Sequence, residues 1–221
     1  MADISKYVTD ACVLLEQLVR IPSLSFEENE CADYIQRYLE DRGVTVRRIG
    51  NNLTSREVFR ADAPTLMLCA HIDPVPAAAA YTFAPLNPPE DEERILGLGS
   101  NDDGGSVVSA IATFLYFKEK KECPVNLLLA LTCEEERSGH GGMHTLAAEV
   151  EKIADFAIVG EPTCMQAMVA ERGLLVLDAT AKGRSAHAAR AEEGDNALYK
   201  AIKDIEILKD FKFDRISPIL G

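Results

Sequence analysis

The chain has six cysteines and no C-x-x-C pair: Cys12, Cys31, Cys69, Cys123, Cys133 and Cys164 are scattered. That scatter argues against a zinc ribbon and against a disulfide scaffold. Cys12 and Cys31 fall on the apolar faces of expected helices, and Cys69 and Cys133 in or at the end of expected strands, so most read as small buried hydrophobes in a reducing compartment. Basic residues are also in deficit, 23 Lys and Arg against 36 Asp and Glu, a formal net charge of −13. Such a surface repels a phosphate backbone, so neither nucleic acid nor anionic lipid is the expected main partner. No apolar run approaches the length of a membrane span, and "MADISKYVTD" lacks the basic and apolar regions of a signal peptide. The expected compartment is therefore the cytoplasm, with no membrane partner. Internal repeats are absent, and low complexity is limited to "AAAA" at 77–80. What remains is 47% hydrophobic and 27% charged over 221 residues, enough for one sizeable core or for one core with a small second domain.

Ile4, Tyr7, Val8, Ala11, Leu14, Leu15, Leu18 and Val19 repeat at helical spacing, and Pro22 closes that helix. A second helix follows with Cys31, Tyr34, Ile35, Tyr38 and Leu39 as its apolar stripe; Ser25 and Glu28 have capping-box spacing, and Gly43 stands just past its end. Extended segments are expected around 44–49 and 66–70, then a long surface excursion over 74–96 ending in a short strand at Ile95. A helix runs from Gly105 to about Glu119. "VNLLLALTC" and "FAIVGE" read as further buried strands. After Glu171 the pattern changes: "GLLVLDATAKG" reads as an antiparallel-type strand, and Ala197, Leu198, Ala201, Ile202, Ile205 and Leu208 build one more amphipathic helix. Strands that alternate with helices and are apolar on both faces indicate an α/β fold, a three-layer α/β/α domain with a largely parallel sheet.

In such sheets ligands sit at the carboxyl ends of strands, and polar residues fall there. His71 and Asp73 follow one strand, Glu134, Glu135 and Glu136 the next, and Glu161 the third; Asp102 and Asp103 lie between a strand and a helix start. Side chains at i and i+2 leave a strand on one face, so an imidazole and a carboxylate in "HID" can hold one another. A nest of carboxylates around one imidazole would repel itself unless cations neutralised it, and mixed N/O donors favour zinc, manganese or cobalt.

Blander readings compete with these. A lone His-x-Asp is usually a hydrogen-bonded surface pair, and "EEE" is usually a solvated run, although here it directly follows a buried strand. "GLGSND" is close to G-x-G-x-x-G but lacks the third glycine, which argues against a nucleotide site. His140 and His144 have the i, i+4 spacing of helical zinc ligands, without any H-E-x-x-H pattern. Arg190 is equally at home on a substrate carboxylate or in solvent.

"HIDPVP", "GLGSNDDGG", "LTCEEERSG", "VGEPT" and "AKGRSAHAAR", in this order, resemble the two-zinc aminoacylase and carboxypeptidase superfamily, and within it the acetylornithine deacetylase-like branch. The resemblance implies a zinc-peptidase-like catalytic domain over 1–171 and the beginning of a smaller α+β lid and dimerisation domain over 172–221. It implies that His71 and Glu161 hold one zinc, Glu136 the other, and that Asp102 bridges both. Asp73 would orient His71, Glu135 would be the general base, and His187 would stabilise an oxyanion across a homodimer interface. The implied substrate is an N-acyl amino acid such as acetyl- or succinyl-ornithine or citrulline, in arginine biosynthesis, with a dipeptidase or carboxypeptidase on the same scaffold as the alternative. Relatives carry a final histidine ligand near their carboxyl terminus. The resemblance therefore implies a truncated copy, whose 221 residues alone are not expected to turn over substrate. Asp103-Gly104-Gly105 stands where many relatives have lysine or alanine.

Overall fold

The computed structural model describes residues 4–219; the expected end at Gly221 lies outside them. Backbone contacts divide the chain into two units, Met1–Cys164 and Met165–Gly221.

The first unit opens with helices α1 (Ser5–Leu18) and α2 (Asn29–Glu40). Past α2, Gly43 takes a φ of +70°, and the Val44 N–H bonds back to the Leu39 carbonyl at 3.1 Å. Glycine reaches that left-handed conformation without a Cβ penalty, which is why the helix stops there. Strands β1 (Arg47–Ile49) and β2 (Asn52–Glu57) form an antiparallel hairpin with Ile49 opposite Asn52, so Gly50 and Asn51 are its two-residue turn. β3 (Thr65–His71), helix α3 (Gly105–Lys120), β4 (Asn126–Thr132), helix α4 (Met143–Val150) and β5 (Phe156–Val159) follow. The strand order is β1-β2-β4-β3-β5.

β3 lies parallel to β4 and β5, whereas β2 runs antiparallel to both β1 and β4. The sheet is thus mixed rather than largely parallel: a hairpin can join neighbouring strands with two residues, where a parallel pair needs a crossover. The three layers are present. Leu68, Ala70, Leu127, Leu129 and Leu131 share one core with Leu14, Leu15 and Leu18 of α1, Ile35 and Leu39 of α2, and Ile111 and Phe114 of α3. The alternate residues Met67, Cys69, Leu128 and Ala130 pack with Leu146 and Val150 of α4. Period-two alternation sends each strand's side chains into both layers, which explains why β3 and β4 are apolar throughout.

Four expectations fail in packing. No strand forms at Ile95, which instead packs partly buried against the first core. Cys12 is exposed although it lies on α1. β5 pairs with β3 as expected, yet Phe156, Ile158 and Val159 are 48%, 60% and 59% exposed, because among the described residues β3 is its only neighbour and no helix covers it.

The fourth failure is in the second unit, where residues 173–183 form no strand. An extended segment needs a neighbour to satisfy its backbone, and the described residues offer only a single antiparallel bridge between Arg184 and Asp195. Helix α5 (Ala197–Asp210) forms as its periodicity predicts, capped by Asn196, whose Oδ1 accepts the Leu198 N–H at 2.9 Å.

Candidate metal centre

Three chain segments meet where β3 and β4 end. The parallel register places His71 opposite Thr132, and the Ile72 N–H continues the ladder to the Thr132 carbonyl at 2.8 Å. His71 therefore leaves the sheet beside the turn that carries the three glutamates. Across β5, the Gly160 N–H bonds to the Cys69 carbonyl at 2.8 Å, which brings Glu161 to the same end of the sheet. Asp102 lies in the irregular turn Ser100–Gly104 that leads into α3.

His71 is 3% exposed and doubly oriented. Its Nδ1 lies 2.8 Å from the backbone oxygen of Asp73, and its Nε2 lies 3.1 Å from Asp102 Oδ1. An Nδ1–H donated to a carbonyl leaves Nε2 as the free lone pair, the state a metal ligand needs. His71, Asp102 and Glu136 each offer a ligand atom, and these atoms lie within 4.8 Å of one another. Glu161 and Glu135 are exposed near this group. His187 lies in the second unit, exposed, with Nδ1 accepting the Ala189 N–H at 3.1 Å, so that Nε2 carries the proton. His140 and His144 are solvent-facing with rings 5.3 Å apart, as a solvated helix start requires.

Asp73 is completely buried and fully engaged. Ser25 Oγ donates to Oδ2 at 2.7 Å, the Glu135 N–H to Oδ1 at 3.1 Å and the Glu136 N–H to Oδ2 at 3.2 Å. Burial pushes its pKa up, but these donors and His71 outweigh burial and hold it below the ordinary carboxylate value. For His71, burial disfavours the charged form, yet hydrogen bonding to Asp73 and the Asp103 charge carry its pKa up to about 10 in the metal-free chain. Glu136 is raised by burial and by Asp102, and Glu161 by burial and by Asp103, against the opposing pull of His71.

These directions, together with the mixed N/O donor set, fit a divalent cation: it would relieve the carboxylates' mutual repulsion and replace the proton on the imidazole. Among the described residues, His71, Asp102 and Glu136 would hold it first, with Glu161 at the rim.

Three contributors had no role at the site in the sequence reading. Asp103, 2% exposed, accepts the His71 backbone N–H on Oδ2 at 3.2 Å, while its Oδ1 is buried without a hydrogen-bond partner. Asn52 donates to the Ile49 and Gly141 carbonyls and accepts from the Cys133 N–H, tying the hairpin to the glutamate turn. Glu28 does not form the expected capping box. It occupies the N-cap position of α2 without a side-chain cap, and Ser25 bonds Asp73 instead.

An α/β scaffold with histidine and carboxylates gathered at the ends of parallel strands defines the class as an α/β protein with a candidate metal centre. The model of peptidase family M20/M25/M40 matches residues 67–217, and the chain belongs to this family, one of metal-dependent hydrolases. It is 35% identical over 198 residues to a succinyl-diaminopimelate desuccinylase of Corynebacterium glutamicum, covering 86% of this chain and 52% of that protein. A tripeptidase of Staphylococcus aureus has a similar fold, with a TM-score of 0.62 at 21% identity, covering 93% of this chain and 57% of that one. So does a dinuclear metal-binding M20 peptidase of Bacillus subtilis, with a TM-score of 0.54 at 18% identity, covering 70% and 43%. The chain spans about half the length of the curated relatives it matches. These relatives give no support to the acetylornithine deacetylase-like branch or to arginine biosynthesis; the similarity in sequence is to desuccinylases and also, at 30% identity over 89% of this chain, to a probable carboxypeptidase of Paracoccidioides brasiliensis.

Proposed function

We propose that the protein containing this chain is a metal-dependent amidohydrolase that removes an acyl group from the nitrogen of an amino acid, with an N-succinyl amino acid as the first substrate to test and N-acetyl substrates second. The observation that carries this reading is the assembly of His71, Asp102 and Glu136 from three separate segments at the carboxyl end of the parallel strands. Sequence similarity to desuccinylases supports the acyl class.

Two zinc ions, or cobalt or manganese in their place, would supply Lewis acidity toward the amide carbonyl and activation of water. His71 with Glu161 would hold one ion and Glu136 the other, with Asp102 between them. Glu135 is the general base in this reading. Its amide is fixed on Asp73 while its side chain is exposed, so the carboxylate is free to take a proton from water and pass it to the departing amine. Asp73 orients His71. His187 offers Nε2–H to a developing oxyanion, supplied by a second subunit of a homodimer, and the residues from 172 onward begin the lid. Hydrolysis then runs without a covalent intermediate.

The test is a substrate panel on the native gene product loaded with zinc: N-succinyl and N-acetyl amino acids against dipeptides. Release of succinate or acetate is the expected result. Hydrolysis of dipeptides alone would overturn the deacylase assignment while leaving the family intact.

A further inference from the structure

The Ser25-x-x-Glu28 motif, which is not a capping box, still needs an explanation. Glu28 is completely buried. Its Oε1 accepts the Phe26 N–H at 2.8 Å and, 106 positions along the chain, the Glu134 N–H at 3.0 Å; its Oε2 accepts Asn51 Nδ2 at 3.1 Å. Asn51 cannot turn its amide over without loss, because its Oδ1 accepts from Arg48 Nη2 at 3.0 Å.

Three consecutive backbone N–H groups, those of Glu134, Glu135 and Glu136, thus end on two buried carboxylates, Glu28 and Asp73. Successive N–H groups that converge in this way form a concave site for negative charge, and here the charge is internal. Glu134 begins the turn with a φ of +58°, an uncommon conformation for a non-glycine residue. The far side of the turn is closed as well. The Gly139 N–H bonds to the Glu134 carbonyl and the Gly141 N–H to Glu134 Oε2, each at 2.8 Å, and a Cβ on Gly141 would lie 2.2 Å from Glu134 Oε1. The first glutamate of "EEE" is therefore occupied in shaping the turn, and the next two project from it.

We propose that Glu28 is a positioning residue: its buried carboxylate anchors the Glu134 amide and so fixes the directions in which Glu135 and Glu136 leave the turn. This rests on the assignment of Glu135 as base and Glu136 as metal ligand. Ser25 acts in the same sense through Asp73, so the loop before α2 is the support on which the glutamate turn stands. An acceptor oxygen at glutamate's reach is needed. Aspartate is one methylene short of Glu134, and glutamine keeps an acceptor for the two amides but presents an NH2 to Asn51.

The experiment is amide hydrogen exchange and cobalt(II) titration on the full chain, comparing wild type with Glu28→Ala, Glu28→Asp and Glu28→Gln. In Glu28→Ala, amides 134–136 should exchange faster by about tenfold, the loss of one anchoring bond to a charged acceptor, while those of β4 keep their protection. Cobalt affinity, read from its visible absorption, should fall by about 10–100-fold, the effect expected when a ligand loses its outer support. Glu28→Gln should recover most of both. Wild-type exchange at 134–136 in a folded Glu28→Ala would overturn the proposal. If Glu28→Ala does not fold, Glu28→Asp decides by the same exchange: faster turn amides in an intact sheet support the anchor, and unchanged ones refute it. Failure of the wild-type chain to bind cobalt would count against the metal centre, whereas the exchange result would still decide the role of Glu28.

Discussion

Glu135 and Glu136 are neighbours in the chain but hang from different oxygens of Asp73, which is why one turn can serve two tasks. In the metal-loaded native protein, Glu135→Gln should lower turnover by about 10²–10⁴-fold with metal content unchanged, the usual cost of losing a general base. Glu136→Gln should lose metal, and elemental analysis of the two variants separates them; the reverse pattern would shift the assignment by one residue. A second residue-scale expectation concerns the thiols. Burial pushes Cys31, Cys69 and Cys133 up to about 12, from an ordinary value near 9. Below pH 9 both folded and unfolded states keep these protons. Above it only the unfolded state releases them, so stability should fall between about pH 9 and 12, by up to about 1.4 kcal/mol per pH unit for each thiol. Urea titrations across that range check the sign, and iodoacetamide at pH 8.5 should label the exposed Cys12 and Cys164 while sparing the four buried cysteines, Cys31, Cys69, Cys123 and Cys133. His71, Asp102 and Glu136 follow or border recognisable elements, as Asp103 and Glu135 also do; the resemblance picked them out, and the structure adds that their ligand atoms lie close together. Glu28 was not legible in the sequence, because its partner lies 106 positions away and Ser-x-x-Glu spacing describes a local cap equally well.

At the scale of elements, apolar runs announced β3, β4 and β5, and helical spacing announced α1, α2, α3 and α5. β2 escaped because "NLTSRE" is largely polar; its buried Asn52, Thr54 and Ser55 satisfy themselves by side-chain hydrogen bonds to neighbouring carbonyls. The usable signal was the Gly50-Asn51 pair, a two-residue hairpin turn. Burial could not be read from composition either. Leu129 and Ile158 both belong to apolar strands, but Leu129 is 1% exposed and Ile158 60%. Leu129→Ala should destabilise the chain by about 2–5 kcal/mol. Ile158→Ala should change it by about 0.5 kcal/mol or less, as for an open surface position. Thermal or urea unfolding of the two variants measures the contrast.

For the whole molecule, the division after Cys164 leaves a second unit with little internal support. Leu174, Leu175, Val176 and Leu177 are 90%, 70%, 70% and 63% exposed, and no residue of α5 is buried. A segment with so little buried side chain opens at little cost. Limited proteolysis of the 221-residue chain should therefore cut first between 165 and 186, leaving a fragment that ends near Cys164; mass spectrometry reads the site. Survival of that segment while β3 and β4 are cut would mean that the division is misplaced. No helix among the described residues is long and apolar enough to cross a membrane.

The strand order β1-β2-β4-β3-β5 also sets a timetable for synthesis. The β1–β2 hairpin can close as soon as it leaves the ribosome. β3 cannot follow it, because both of its neighbours are encoded later and the strand that separates it from β2 is not complete until Thr132. For some sixty residues of growth, about three to twelve seconds at ordinary translation rates, a nascent chain carries an apolar strand with two open edges. The last-made central strand thus acts as the wedge that joins the two earlier pieces. Its arrival brings the glutamate turn against His71 in the same event, so Glu136 joins His71 and Asp102 only once the sheet has been threaded in the right order, and Glu161 waits for β5.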